Sequence, residues 1–167
     1  MEAGKLSLEE ADVDLADVGR ESVETGRPRA ARGGVELLLQ ADGDPHVRGD
    51  RDRLGQALDN LVSNAIKFTP EGGRVTVRIG RDGDRAVMEV RDTGMGISEA
   101  DQRRLFQRFF RTERATGAAI PGVGLGLTIA RAIVQGHHGE ISVQSEEGAG
   151  TTFRIELPLR APARVPA

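Results

Sequence analysis

The chain of 167 residues contains no cysteine, no tryptophan and no tyrosine. Without cysteine, disulfide staples and thiolate metal sites are excluded, which suits a reducing compartment. Five phenylalanines are the only aromatics, so the core must be built mainly from Val, Leu, Ile and Ala. The formal net charge is only -3, which gives no bulk positive field to hold a nucleic acid. No stretch reaches the ~18 continuous apolar residues of a membrane span. The longest uncharged run, Ala115 to Ala130, is interrupted by Gly and Pro. The N-terminus lacks the charged, apolar and small-residue order of a signal peptide. Lysine is nearly missing too: of 23 Lys and Arg residues, only Lys5 and Lys67 are lysine. A lysine inside a motif therefore calls for a chemical reason.

What is present has ordinary globular proportions, 38% hydrophobic and 29% charged, at a length that fits one domain. Residues 1–13 read as a linker remnant with no packing pattern of their own. A short helix is expected from Asp14, through Leu15, Val18 and Val23, to the Gly-Arg-Pro at Gly26–Pro28, where proline disfavours helix in the residue before it. Strands are expected at Val35–Gln40 and Pro45–Arg48. Asp50 to Phe68 is the clearest helix, N-capped by Asp50 and stopped by Thr69-Pro70. Arg74–Gly80 and Arg85–Asp92 alternate apolar and polar residues around a tight turn, which is a hairpin. Further expectations are a helix over Ser98–Phe110, an unpatterned Gly/Ala-rich loop over Arg111–Gly122 and a helix over Leu125–Val134. A second hairpin, Glu140–Ser145 with Thr151–Pro158, and a frayed tail over 161–167 complete the chain. Helices mixed with hairpin strands indicate an α+β fold, an antiparallel or mixed sheet with helices on one face.

Four groups of residues carry chemical content. On the 50–68 helix, Leu54, Ala57, Leu58, Leu61, Ala65 and Phe68 share the core arc. Gln56, Asn60, Asn64 and Lys67 lie within roughly 80° on another face at about 100° per residue. Asn is a poor helix former because its side chain competes for backbone hydrogen bonds. Two Asn one turn apart, followed by a rare Lys, fit Mg²⁺-phosphate binding: a neutral amide oxygen for a hard cation, a point charge for phosphates. Taken by itself, the face fits an ordinary polar surface equally well. Asp92-Thr93-Gly94-Met95-Gly96 ends a strand. Its carboxylate can accept a hydrogen bond from the amine of adenine, and its glycines let backbone lie close to a purine; alone it also fits a plain turn. Gly122-Val123-Gly124-Leu125-Gly126-Leu127 runs into a helix and exposes backbone N–H groups to a phosphate, though it lacks the Lys-Ser/Thr of a Walker motif. Leu105 to Arg111 holds three of the five Phe, suited to anchoring a lid, and Arg111 at its edge can reach a terminal phosphate.

The order of these groups carries more than any one of them. Asp59–Pro70 resembles the N box of bacterial sensor histidine kinases, and Asp92–Gly96 their first glycine box. Leu105–Arg111 resembles their F box, and Gly122–Leu127 their second glycine box. Gly148–Phe153 resembles their closing glycine-threonine element. The resemblance implies the two-layer Bergerat (GHKL) fold, a domain over 14–160 with a flexible ATP lid at about 95–123. It implies ATP or ADP with Mg²⁺ as ligands. Asn64, with Asn60 assisting, would hold the metal, and Lys67 and Arg111 would meet phosphates. Asp92, with Gly94 and Gly96, would receive adenine. Gly122, Gly124, Leu125, Gly126 and Leu127 would border lid and phosphates. Thr152 would sit near the base, with Thr151 as its rival.

These kinases place a phosphoacceptor histidine on a preceding helical hairpin. The three histidines here, His46, His137 and His138, lack such a segment, and His137-His138-Gly139 stands in the place of a structural His-Gly-Gly. The expected partners are therefore a separate dimerisation and phosphoacceptor domain and, indirectly, a response regulator. Neither nucleic acid nor direct membrane contact is expected. The fragment is expected to be monomeric and cytoplasmic, whatever anchors the parent. The related ATPases (gyrase-like, MutL-like, the heat-shock chaperone) have a Glu at position 60, where it activates water. Asn60 cannot act as a base, which favours phosphoryl transfer. Anti-sigma serine kinases and a non-catalytic nucleotide-binding module are the alternatives.

Overall fold

A computed structural model describes residues 7–107 and 126–160. The elements in chain order are β1 (Ala11–Asp14), α1 (Leu15–Arg32), β2 (Glu36–Ala41), β3 (His46–Gly49), α2 (Arg51–Phe68), β4 (Arg74–Asp82) and β5 (Arg85–Asp92). They continue with α3 (Glu99–Gln102), α4 (Gly126–Gly136), β6 (Glu140–Glu146) and β7 (Gly150–Pro158). A five-stranded sheet runs β2-β4-β5-β7-β6, and β1 pairs with β3 in a separate two-stranded ribbon. β2 is parallel to β4, and every other pairing is antiparallel. This is the expected mixed, mostly antiparallel α+β architecture.

The period-2 pattern of the hairpin strands decides which face is inside. Val75, Val77 and Ile79 of β4, Met88 and Val90 of β5, and Phe153, Ile155 and Leu157 of β7 are buried. They join Leu54, Leu58, Leu61 and Ala65 of α2, Val18 and Val23 of α1, and Ala130, Ile133 and Val134 of α4 in one core. The opposite sheet face is polar. There Arg154 bridges Asp82, Glu89 and Glu156, and Arg78 also pairs with Glu89.

Several expected boundaries move, each for a tertiary reason. α1 does not stop at Pro28 but runs through it to Arg32. Pro28 is exposed, so the hydrogen bond it forfeits lies on the solvent side, while Ala30 beyond it is buried. Gly26 presses against Leu37, Val62 and Ile66, and that packing outweighs the local proline penalty. The folded unit starts before residue 14, since β1 pairs from Ala11 onward and Val13 is buried. Ser98 does cap a helix, accepting from the Asp101 N–H. That helix is a single turn, and the chain then tightens into i to i+3 turns, Arg104 to Asp101 and Gln107 to Arg104. Gln102 explains the stop: its side chain donates to Ile97 O and Ser145 O, tying the turn to β6. The remainder of the expected helix, Arg108 to Phe110, and the expected loop from Arg111 lie outside the described residues.

Candidate nucleotide site

α2 forms where the sequence places it, and Asp50 caps it, accepting from the Arg53 N–H. Asn60 and Asn64 are half-buried and Lys67 is exposed near its C-terminal end. Among the described residues Lys67 forms no ion pair. Asn60 donates through Nδ2 to Gly126 O, 3.1 Å away, at the first residue of α4. This orients the amide, and no described residue donates to its oxygen. The second glycine motif is thereby joined to the Asn face of α2. Leu127 packs half-buried against the core. Gly122, Gly124, Leu125 and Arg111 lie outside the described residues.

The Asp92–Gly96 segment folds over the C-terminal end of α2. Met95 donates its N–H to Phe68 O. A Cβ on Gly94 would lie 2.4 Å from Phe68 O, and one on Gly96, at φ 71°, would lie 2.0 Å from Glu146 O. These glycines were expected to make room for a purine. The backbone they clear room for is the protein's own, that of Phe68 and of the β6–β7 turn.

Asp92 is buried, at 6% exposure. Its Oδ1 accepts from Gly94 N at 2.9 Å and from Thr151 N at 3.3 Å. No described residue donates to Oδ2. Every fully buried side-chain polar atom among the described residues has a partner, so Oδ2 is not fully shielded. Burial raises the Asp92 pKa above the ordinary carboxylate value, and the two N–H donors oppose that rise. The arrangement is a fixed, weakly solvated carboxylate with one oxygen satisfied and one presented to an incoming donor.

The pairing register places the two threonines on opposite faces of the sheet. Asp92 lies opposite Thr151, whereas Thr152 lies opposite Arg91 on the other face of the sheet. Thr151 is buried and its hydroxyl meets Ser145 Oγ at 2.8 Å. Ser145, which the sequence reading passed over, also accepts from Ile97 N and donates to Gly150 O. Its inward position in the period-2 pattern of β6 is the signal that could have found it.

The donor set limits what cation the site can hold. No cluster of three or more His, Cys, Asp or Glu suited to a metal exists among the described residues. Two neutral amide oxygens form an incomplete shell. They fit a hard ion whose other ligands are phosphate oxygens and water, as Mg²⁺ prefers.

Comparison with known proteins bears on the family and the fold. Residues 49–161 match the family described as histidine kinase-, DNA gyrase B-, and HSP90-like ATPase. The chain is 38% identical over 161 residues to the circadian input-output histidine kinase CikA of Synechococcus elongatus, covering 95% of this chain and 21% of that protein. The mycobacterial sensor histidine kinase MprB is 35% identical with a TM-score of 0.77, over 90% of this chain and 98% of that one. Full-length ShkA, solved in complex with AMPPNP, is 32% identical with a TM-score of 0.83, over 96% of this chain and 33% of that one. The chain thus spans about a fifth of the curated relative named above. No helix among the described residues is long and apolar enough to cross a membrane. With the five motifs in order and the fold that joins them, the chain belongs to the histidine kinase-, DNA gyrase B- and HSP90-like ATPase family, as a catalytic, ATP-binding domain of the sensor histidine kinase kind.

Proposed function

We propose that the domain binds Mg²⁺-ATP and presents the γ-phosphoryl group to a histidine on a separate phosphoacceptor domain of the parent kinase. The observation that carries this reading is Asn60, whose Nδ2 donates to Gly126 O. A Glu in that place, as in the water-activating ATPases, would set a carboxylate oxygen against the Gly126 carbonyl. The position suits an amide and holds no general base, so hydrolysis is disfavoured and the phosphoryl group waits for an external nucleophile.

In this reading Asn64 and the oxygen of Asn60 would hold Mg²⁺, which would supply positive charge to the phosphates. Lys67 and Arg111 meet phosphate charge as cations. Gly126, the first residue of α4, would offer its backbone N–H where the helix dipole favours an anion, and Gly122 and Gly124 of the same motif would serve the phosphates with it. Asp92 Oδ2 accepts from the adenine amine, with Thr151 and Gly94 fixing the carboxylate. Guanine has an oxygen at that position and would be repelled. The partner is the dimerisation and phosphoacceptor domain, with a response regulator downstream. The domain works in the cytoplasm even where its parent is membrane-anchored.

The test mixes the domain with candidate phosphoacceptor domains and ATP labelled at the γ-phosphate. Transfer of label to histidine on one of them, lost in Asn64→Ala, is the expected result. A folded, ATP-loaded domain that labels none of them, or that hydrolyses ATP steadily by itself, overturns the kinase reading.

A further inference from the structure

His137 belongs to none of the groups assigned to the nucleotide, and it is not a phosphoacceptor candidate. It is nevertheless one of the few buried polar residues, and both its ring nitrogens are engaged. Nδ1 lies 2.7 Å from Ile133 O within α4. Nε2 accepts from the backbone N–H of Asp50 at 2.9 Å. With one nitrogen facing a carbonyl and the other an N–H, the ring is the neutral tautomer carrying its proton on Nδ1. The imidazole therefore ties the end of α4 to the start of α2.

The other end of α4 is also tied, to the middle of α2, by Asn60 Nδ2 donating to Gly126 O. α2 and α4 are antiparallel, and the two ties are separated by about 15 Å on α2 and about 16 Å on α4 at 1.5 Å per residue. One tie touches a residue proposed to serve the metal. The other lies at the opposite end of α4, where it meets the N-cap of α2. Two ties of matched spacing fix the sliding and tilt of one helix against the other, whereas one tie leaves a pivot. The space for the ring is itself built in: a Cβ on Gly49 would lie 2.6 Å from His137 Cδ2.

We propose that His137 is a positioning residue for the nucleotide site, a remote brace that holds the N-terminus of α4 against Asn60 by pinning its C-terminus to Asp50. The role rests on the reading of Asn60 and the second glycine motif as the phosphate side of the site. Releasing the far tie lets α4 pivot and loosens the Asn60–Gly126 contact, although nothing near the nucleotide has been changed.

The experiment uses the full chain and the variants His137→Ala, His137→Gln and Gly49→Ala. The first readout needs no ligand: the ¹⁵N-correlated NMR signals of the Asn60 side-chain amide and the Gly126 N–H. The second is ATP affinity by calorimetry well below each variant's melting temperature. His137→Ala is expected to move both signals and to weaken ATP about tenfold. His137→Gln, which offers an oxygen to the Asp50 N–H, is expected to recover most of the affinity. Gly49→Ala, which displaces the ring without removing it, should reproduce the His137→Ala pattern and serves if that variant does not fold. Unmoved Asn60 and Gly126 signals in a folded variant overturn the proposal. Moved signals with ATP affinity within twofold of wild type overturn it as well, since the brace would then be structural only. Should the wild-type chain fail to bind ATP, the function proposed above fails, and the ligand-free signals still report on the brace.

Discussion

Asp50 and Asp92 each close a strand region and each accept backbone N–H groups, yet their pKa values move in opposite directions. At Asp50 the donors are shared between the oxygens: Glu9 N to Oδ2 and Arg53 N to Oδ1. The Glu9 N–H is the largest cause holding its pKa below the ordinary value, and the start of α2 adds a favourable dipole. At Asp92 both donors converge on Oδ1 and desolvation wins, so the pKa rises. One carboxylate is finished by the fold and stabilises it. The other is half finished: burial raises its pKa, and one oxygen meets no described donor, so an incoming donor would complete it. Under the proposed function, the structural carboxylate and the one that receives adenine are thus told apart by which oxygen the backbone has left open.

The strongest way to break the comparison is to remove each carboxylate in turn. Asp50→Ala should cost about 2–3 kcal/mol in urea denaturation, from the lost cap and the lost Glu9 tie. A comparable loss in Asp92→Asn would erase the distinction. Asp92→Asn should instead leave stability unchanged or raised, because it removes a buried charge and keeps Oδ1 for Gly94 and Thr151. Its effect belongs to binding: an amide donor would face the adenine amine, and ATP affinity should fall about thirtyfold, roughly 2 kcal/mol. Fluorescence titration with an ATP analogue reads that loss.

pH sharpens the contrast. A raised folded-state pKa means that the native state holds the extra proton, so the cost of burying ionised Asp92 is relieved as pH falls through that raised value toward the ordinary 3.8. Wild type should therefore gain stability relative to Asp92→Asn across that window, measured by paired urea titrations. Asp50, with its pKa lowered, contributes stability above the ordinary value and loses it as pH falls through the lowered one. Asp50→Asn should flatten that acid limb. The smallest effect concerns the other end of the helix brace. His138 adopts φ 61°, the single positive φ outside glycine among the described residues, and it is exposed beyond the C-terminus of α4. His138→Gly should relieve about 1 kcal/mol and raise the melting temperature by about 2–4 °C, with ATP affinity unchanged.

Local pattern made much of this readable. α2 with its Asp50 cap, the β4–β5 hairpin and the inward faces of the strands follow from periodicity and capping, which need only neighbours in sequence. The type and order of the site motifs were legible for the same reason, since an Asn pair one turn apart on a helix shares a face whatever surrounds it. Thr151 and Thr152 were not separable, because adjacent, chemically identical residues differ only in the sheet face they occupy. Pairing with Asp92 decides that face.

By itself the sequence determined the α+β class, the helix that carries Asn60, Asn64 and Lys67, and the succession of motifs that marks the family. Only the tertiary structure decided that α1 continues through Pro28 and that β1 belongs to the fold. It also decided that Gly94 and Gly96 clear the protein's own backbone, and that Asn60 and His137 tie both ends of α4 to α2. The division has a physical cause. Propensity and periodicity are properties of a few consecutive residues, whereas a close approach or a tie spans residues as distant as Asp50 and His137, and depends on where the whole core places them.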